Sequence, residues 1–131
     1  MTRTRIISLI LFSLYIAAVC YLCFAKPDEI PSIEISFFGL PIDKVVHFLM
    51  FLPFPILAFK AFESDNYKTG RRILLLLGIA AAGIALAAMT EFVQGFLSYR
   101  SEDTYDLFSD YMGLGTGMVS VIIYLIFRKL R

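Results

Sequence analysis

The side chains able to carry a proton or hold an ion inside an apolar helix fall in two stretches of this sequence, DKVVHFLMF from Asp43 to Phe51 and EFVQGFLSYRSEDTYDLFSD from Glu91 to Asp110. The first sets Asp43 and His47 at i,i+4 and Lys44 and His47 at i,i+3, spacings that project all three in one general direction from a helix. The second places Glu91 and Gln94 in an apolar run, then Arg100 as the one base among Glu102, Asp103, Asp106 and Asp110. One histidine with several carboxylates suits proton exchange with a bound substrate, so His47 and Glu91 take catalytic acid–base roles and Asp106 is expected to orient the histidine. Asp43, Lys44, Gln94, Arg100 and Asp110 are expected to bind the ligand around that centre. The same residue types also suit a metal ion, but no spacing among them is diagnostic, and no metal or cofactor is assigned. Ser98, Ser101 and Ser109 stand in no recognisable nucleophile motif.

Membrane helices must position these residues. The chain has 131 residues, 59% of them hydrophobic, and a mean hydropathy of +0.77, well above a soluble domain of this size. Apolar runs cover Ile6 to Phe24, Val45 to Phe62, Ile73 to Leu97 and Tyr111 to Phe127, each close to the ~20 residues that ~30 Å of hydrocarbon demands of a helix. The expected fold is all-α: a polytopic membrane four-helix bundle forming one domain over residues 1–131, with helices over about 6–24, 43–62, 72–97 and 104–127.

Charge distribution sets an orientation. With the N-terminus in the cytoplasm, Arg3, Arg5, Lys60, Lys68, Arg71, Arg72, Arg128, Lys129 and Arg131 lie inside, and Lys26, Lys44 and Arg100 outside. That bias over short loops predicts that both termini are cytoplasmic. The first apolar run, preceded by Arg3 and Arg5, resembles a signal peptide, but it is too long for a typical signal core and is expected to remain as an anchor. A net charge of +1 offers nothing to a nucleic acid, which is not expected as a partner.

Within the spans, Pro53 and Pro55 remove two backbone donors and free the carbonyls of Leu49 and Phe51, which predicts a bend in the second helix. The third helix is rich in small residues. Helical steps from Glu91 reach Ala88, Ala87, Ile84, Ala81 and Ala80 in one direction and Gln94, Gly95 and Ser98 in the other, so this face is expected to be buried against other helices. Glu91 stands about 27 Å along the helix from Ile73, near the outer boundary and level with His47. Gly113 and Gly117 continue approximately the Asp106 and Asp110 face and predict a close helix contact. Cys20 and Cys23 are expected to pack as small apolar residues.

These residues, in this order, resemble the VanZ-like membrane proteins. The match consists of DKVVHFLMF at Asp43 to Phe51, E-x-x-Q-x-F at Glu91 to Phe96, Arg100, Asp106, and G-x-x-x-G at Gly113 to Gly117. It spans about residue 40 to about residue 120. Asp110 departs from the pattern, which usually has asparagine there. The resemblance implies a small helical membrane protein of the cytoplasmic (inner) membrane or its Gram-positive equivalent, some relatives being linked to resistance to teicoplanin and related lipoglycopeptides. It implies no established reaction.

Three readings follow. The site binds a cell-envelope lipid or lipid-linked glycan precursor, with Lys44 and Arg100 on its anionic group; or it is a membrane-embedded enzyme using acid–base or metal chemistry; or the polar residues only pair with one another to hold the bundle. A proton path fits less well, because the cytoplasmic halves of the first, third and fourth helices lack a polar relay.

Overall fold

The computed structural model describes residues 2–25, 36–37, 39–97 and 104–131. Four helical spans are long and apolar enough to cross a membrane: Arg3–Phe24, Ile42–Phe62, Thr69–Gln94 and Thr104–Leu130. The first is helix α1. The second is two helices in series, α2 (Ile42–Phe51) and α3 (Pro53–Phe62), and the last two are α4 (Thr69–Gln94) and α5 (Thr104–Leu130). Before α2, strand β1 (Ser36–Phe37) pairs antiparallel with strand β2 (Leu40–Pro41). Gly39 between them holds φ at 74°, the left-handed region that an L side chain disfavours.

In hydrocarbon a helix must satisfy its own backbone and any lipid-facing hydroxyl. Ser8 donates to the carbonyl of Thr4 at 3.1 Å, Ser109 to Tyr105 at 2.9 Å, Thr116 to Met112 at 2.8 Å and Ser120 to Thr116 at 2.9 Å. Each folds back one turn onto its own helix, which lets an exposed hydroxyl sit in an apolar span without a partner helix. The large apolar side chains that stay exposed, among them Leu14, Leu74, Leu77 and Phe127, form the lipid-facing surface.

The second span breaks at Leu52, where the two prolines remove the donors that would have bonded the carbonyls of Leu49 and Phe51. Leu52 itself keeps helical dihedrals, φ −58° and ψ −43°. The interruption is therefore a gap in the hydrogen-bond ladder rather than a non-helical residue. Helix α5 lies against this gap, backbone to backbone. A Cβ on Gly113 would fall inside the van der Waals envelope of the Phe48 carbonyl and 3.2 Å from the Leu52 nitrogen, and one on Gly117 would strike the Leu52 carbonyl and lie 2.8 Å from Pro55 Cδ. Small residues are how membrane helices approach this closely.

On the other side of α5, Gly83 of α4 receives Leu114, with Phe54 also close. Phe54, Ala58, Phe59, Ile79, Leu114 and Val121 make one buried cluster, and Phe12 of α1 packs on it. A second cluster, Val19, Cys23, Met50, Phe51 and Ala87, lies toward the end away from the termini. Cys23 is buried there and Cys20 is half-buried, so both pack as expected.

The buried stripe of α4 differs from the expected small-residue face. Ile79, Gly83, Ala87, Thr90, Glu91 and Gln94 are buried, Ala80 is half-buried, and Ala81, Ile84, Ala88 and Gly95 are exposed. The i,i+4 row through Gly83 and Ala87 wins because Leu114 and Phe54 fill the space over Gly83. Ser98 lies outside the described residues. At the end carrying the termini, Glu63 accepts from Arg72 Nε at 3.1 Å and from Arg128 Nη1 at 3.0 Å, and Arg128 also pairs with Asp65. These pairs tie the α3–α4 turn to the start of α4 and the end of α5.

Gly113→Ala and Gly117→Ala are expected to lower stability by about 1–3 kcal/mol each, because the new methyl meets backbone that cannot rotate away. Gly115→Ala, at a position with nothing within 4 Å of its Cβ, is expected to stay within about 0.5 kcal/mol. Thermal unfolding in detergent micelles measures the order.

Candidate functional site

Helix α2 starts directly after Pro41, with Asp43 in its first turn, where a negative charge complements the helix dipole. One turn on, His47 faces α5 and is buried. Its Nδ1 lies 2.8 Å from Asp110 Oδ1, and its Nε2 lies 3.5 Å from Asp106 Oδ2. Asp106 and Asp110 are one helical turn apart, so α5 presents a carboxylate to each nitrogen of the ring. Lys44 Nζ pairs with Asp106 Oδ1 and with Asp43 Oδ2 at 2.9 Å.

The orienting hydrogen bond expected from Asp106 thus comes from Asp110. With Asp110 as carboxylate, Nδ1–H donates to it, which fixes the tautomer and turns the Nε2 lone pair toward Asp106. Asp110 is fully buried because Gly113, three residues further on the same face, lets α5 close on α2. Its second oxygen, Oδ2, is buried with no hydrogen-bond partner among the described residues.

Helix α4 completes the site from the third direction. Glu91 is 3% exposed, and one ligand atom each from His47, Glu91 and Asp106 lie within 4.8 Å of one another. Gln94 Nε2 donates to the carbonyl of Cys23 at 2.8 Å. That carbonyl is in the last turn of α1, where helix carbonyls lack intrahelical donors, so Gln94 caps one helix from another. Thr90 is buried and donates to the Ala87 carbonyl at 2.9 Å. Tyr15 donates its hydroxyl to the Met50 carbonyl beside the proline break, tying α1 to α2.

The structure therefore brings together His47, Glu91, Asp106, Asp110 and Lys44, with Asp43 at the exposed rim and Gln94, at the end of α4, bonded to α1. Arg100 lies outside the described residues. Lys44 is held by two carboxylates, so it sits in the cluster as an internal counter-ion. The roles of Cys23 and Thr90 had no sequence signal, since a backbone carbonyl and an intrahelical hydroxyl acquire meaning only from what packs against them. Buried polar groups at this end can exchange protons, accept hydrogen bonds from hydroxyl or ammonium groups, or coordinate a cation.

A family model described as VanZ/LLP1 matches residues 2–128. An uncharacterized protein of Schizosaccharomyces pombe is 29% identical over 122 residues, which are 93% of this chain and 65% of that protein. The chain thus spans somewhat less than two thirds of that relative's length. No solved structure gives a significant match.

Asp110→Asn keeps an acceptor oxygen for His47 Nδ1–H, and is expected to change stability by no more than about 1 kcal/mol. His47→Leu leaves the Asp110 carboxylate buried without its donor and is expected to cost about 3–5 kcal/mol. Unfolding midpoints of the two variants in the same micelles decide; equal losses would contradict the assigned hydrogen bond.

Proposed function

The chain belongs to the VanZ/LLP1 family, and from that premise we propose that this multi-pass membrane protein binds or modifies the head group of an envelope lipid or lipid-linked glycan. The observation that supports this is the meeting of Lys44, His47, Glu91, Asp106 and Asp110 from three helices at one end of an otherwise apolar bundle. Each ionisable group taken to the bilayer centre costs about 2.5–3.5 kcal/mol. The helices already pack through Gly83, Gly113 and Gly117, so holding the bundle together does not require the cluster.

The positive-inside bias argues that this end faces away from the cytoplasm, with both termini inside and the protein in the cytoplasmic membrane. A site there meets head groups of the outer leaflet, where lipoglycopeptides such as teicoplanin act. Since Lys44 is already neutralised by Asp43 and Asp106, the carboxylates dominate among the described residues. They favour a head group offering hydroxyl or ammonium donors, and Arg100 is the base proposed for its phosphate.

A second reading, catalysis, rests on the His47–Asp110 pair. A histidine held through Nδ1 by a carboxylate has its Nε2 free to take a proton, with Glu91 and Asp106 beside it as further acid–base groups.

A photo-crosslinking residue at position 43 or 100 in the cellular protein is expected to yield lipid or glycan adducts several-fold above those from position 66, in the exposed turn between α3 and α4 at the opposite end. Adducts no more frequent than at position 66 would rule out head-group binding. If Glu91→Gln lowers only thermal stability and leaves adduct yield unchanged, Glu91 is a packing residue.

A further inference from the structure

His47 Nε2 and Asp106 Oδ2 stand 3.5 Å apart, too far for an N–H···O hydrogen bond of about 2.7–3.2 Å. Two ligands on a tetrahedral ion with bonds of about 2.0–2.2 Å lie about 3.3–3.6 Å apart. A carboxylate oxygen of Glu91 joins them, all three atoms lying within 4.8 Å of one another. An inward movement of about 1 Å by the Glu91 side chain would complete a face of such a polyhedron.

The surroundings of the three atoms point the same way. With Nδ1–H given to Asp110, the neutral ring turns its Nε2 lone pair toward the Asp106 carboxylate, an arrangement in which a cation between the two atoms is bound by both. A carboxylate bonded to the far nitrogen of a histidine is the usual support of a metal-ligating imidazole, because it fixes the tautomer and raises ligand basicity. Asp110 is completely buried, and its Oδ2 has no competing hydrogen bond among the described residues. Asp106 can serve Lys44 through Oδ1 while Oδ2 faces His47, so the lysine does not displace the ion. Glu91 and Asp106 each offer a carboxylate oxygen, a hard anionic donor that suits a divalent cation beside an imidazole.

We propose that His47 Nε2, Glu91 and Asp106 bind one divalent transition-metal ion of the zinc class, with Asp110 as the positioning residue. One imidazole and two carboxylates suit such an ion, and three protein ligands leave a coordination position open. The site goes beyond the head-group reading and does not depend on it. It occupies the lone pair that a general base would need, so a loaded site polarises an oxygen at the open position instead of accepting a proton through His47.

The test uses the full chain purified in detergent micelles, stripped with chelator and dialysed against zinc sulfate or cobalt(II) chloride. About one zinc per chain is expected by elemental analysis, and the cobalt form is expected to show visible absorption that zinc abolishes. Asp106→Asn and Glu91→Gln, both near-isosteric, are expected to lower affinity at least tenfold while circular dichroism and gel filtration remain those of the parent chain. Asp43→Asn is expected to retain the metal. Asp110→Asn is expected to keep the stoichiometry and lose about 10-fold in affinity. Wild-type protein that holds far less than one zinc per chain and gives no cobalt absorption overturns the proposal without recourse to any variant. Unchanged affinity in both Asp106→Asn and Glu91→Gln also overturns it.

Discussion

The contact between α5 and the interrupted α2–α3 span is the constraint on which the rest depends. Gly113 and Gly117 place the α5 backbone against the carbonyls of Phe48 and Leu52, a distance that any side chain would forbid. One turn before Gly113 that approach delivers Asp110 to His47, and two turns before it, Asp106 to Lys44. The polar site is thus a product of apolar packing. Two glycines and a proline gap in mid-span set the separation at which ionic groups at the helix ends can meet.

The two ends of the bundle use charge differently. At the end with the termini, Glu63 and Asp65 gather Arg72 and Arg128, long side chains near water that anchor a short turn. Pairs of that kind add little to stability. At the opposite end the histidine and carboxylates are short, drawn inward and mostly buried. Their desolvation is offset only where each finds a partner, as His47 does in Asp110 and Lys44 in Asp106. The gathering of carboxylates from two helices around one histidine in a low-dielectric site is the physical basis for proposing a ligand with donors, or a cation, there.

Gln94 and Tyr15 show how the first helix is held. Helix α1 has few buried side chains, Val19 and Cys23, yet it receives a hydrogen bond from Gln94 at Cys23 and gives one through Tyr15 to Met50. In lipid, these two hydrogen bonds to backbone carbonyls add to the van der Waals packing of Phe12, Val19 and Cys23 that holds the helix. They also connect α1 to the helices that present His47 and Glu91.

Hydropathy and length alone settle four spans, because ~30 Å of hydrocarbon admits few ways to arrange 59% apolar residues. Helical spacing puts Asp43, Lys44 and His47 together, and Asp106 with Asp110, since i,i+3 and i,i+4 relations are properties of one helix. It also makes Gly113 and Gly117 a contact face. Which carboxylate takes which nitrogen of His47 was decided by the tertiary fold, and Asp110 holds Nδ1 where Asp106 was expected to orient the ring. The buried row of α4 likewise runs through Gly83 and Ala87 and leaves Ala81, Ile84 and Ala88 exposed. A helix carries several small-residue rows, and only the shape of its neighbours selects one. Gln94 reaching Cys23, 71 residues away, has no local signature, because a backbone carbonyl looks the same at every position until another helix arrives beside it.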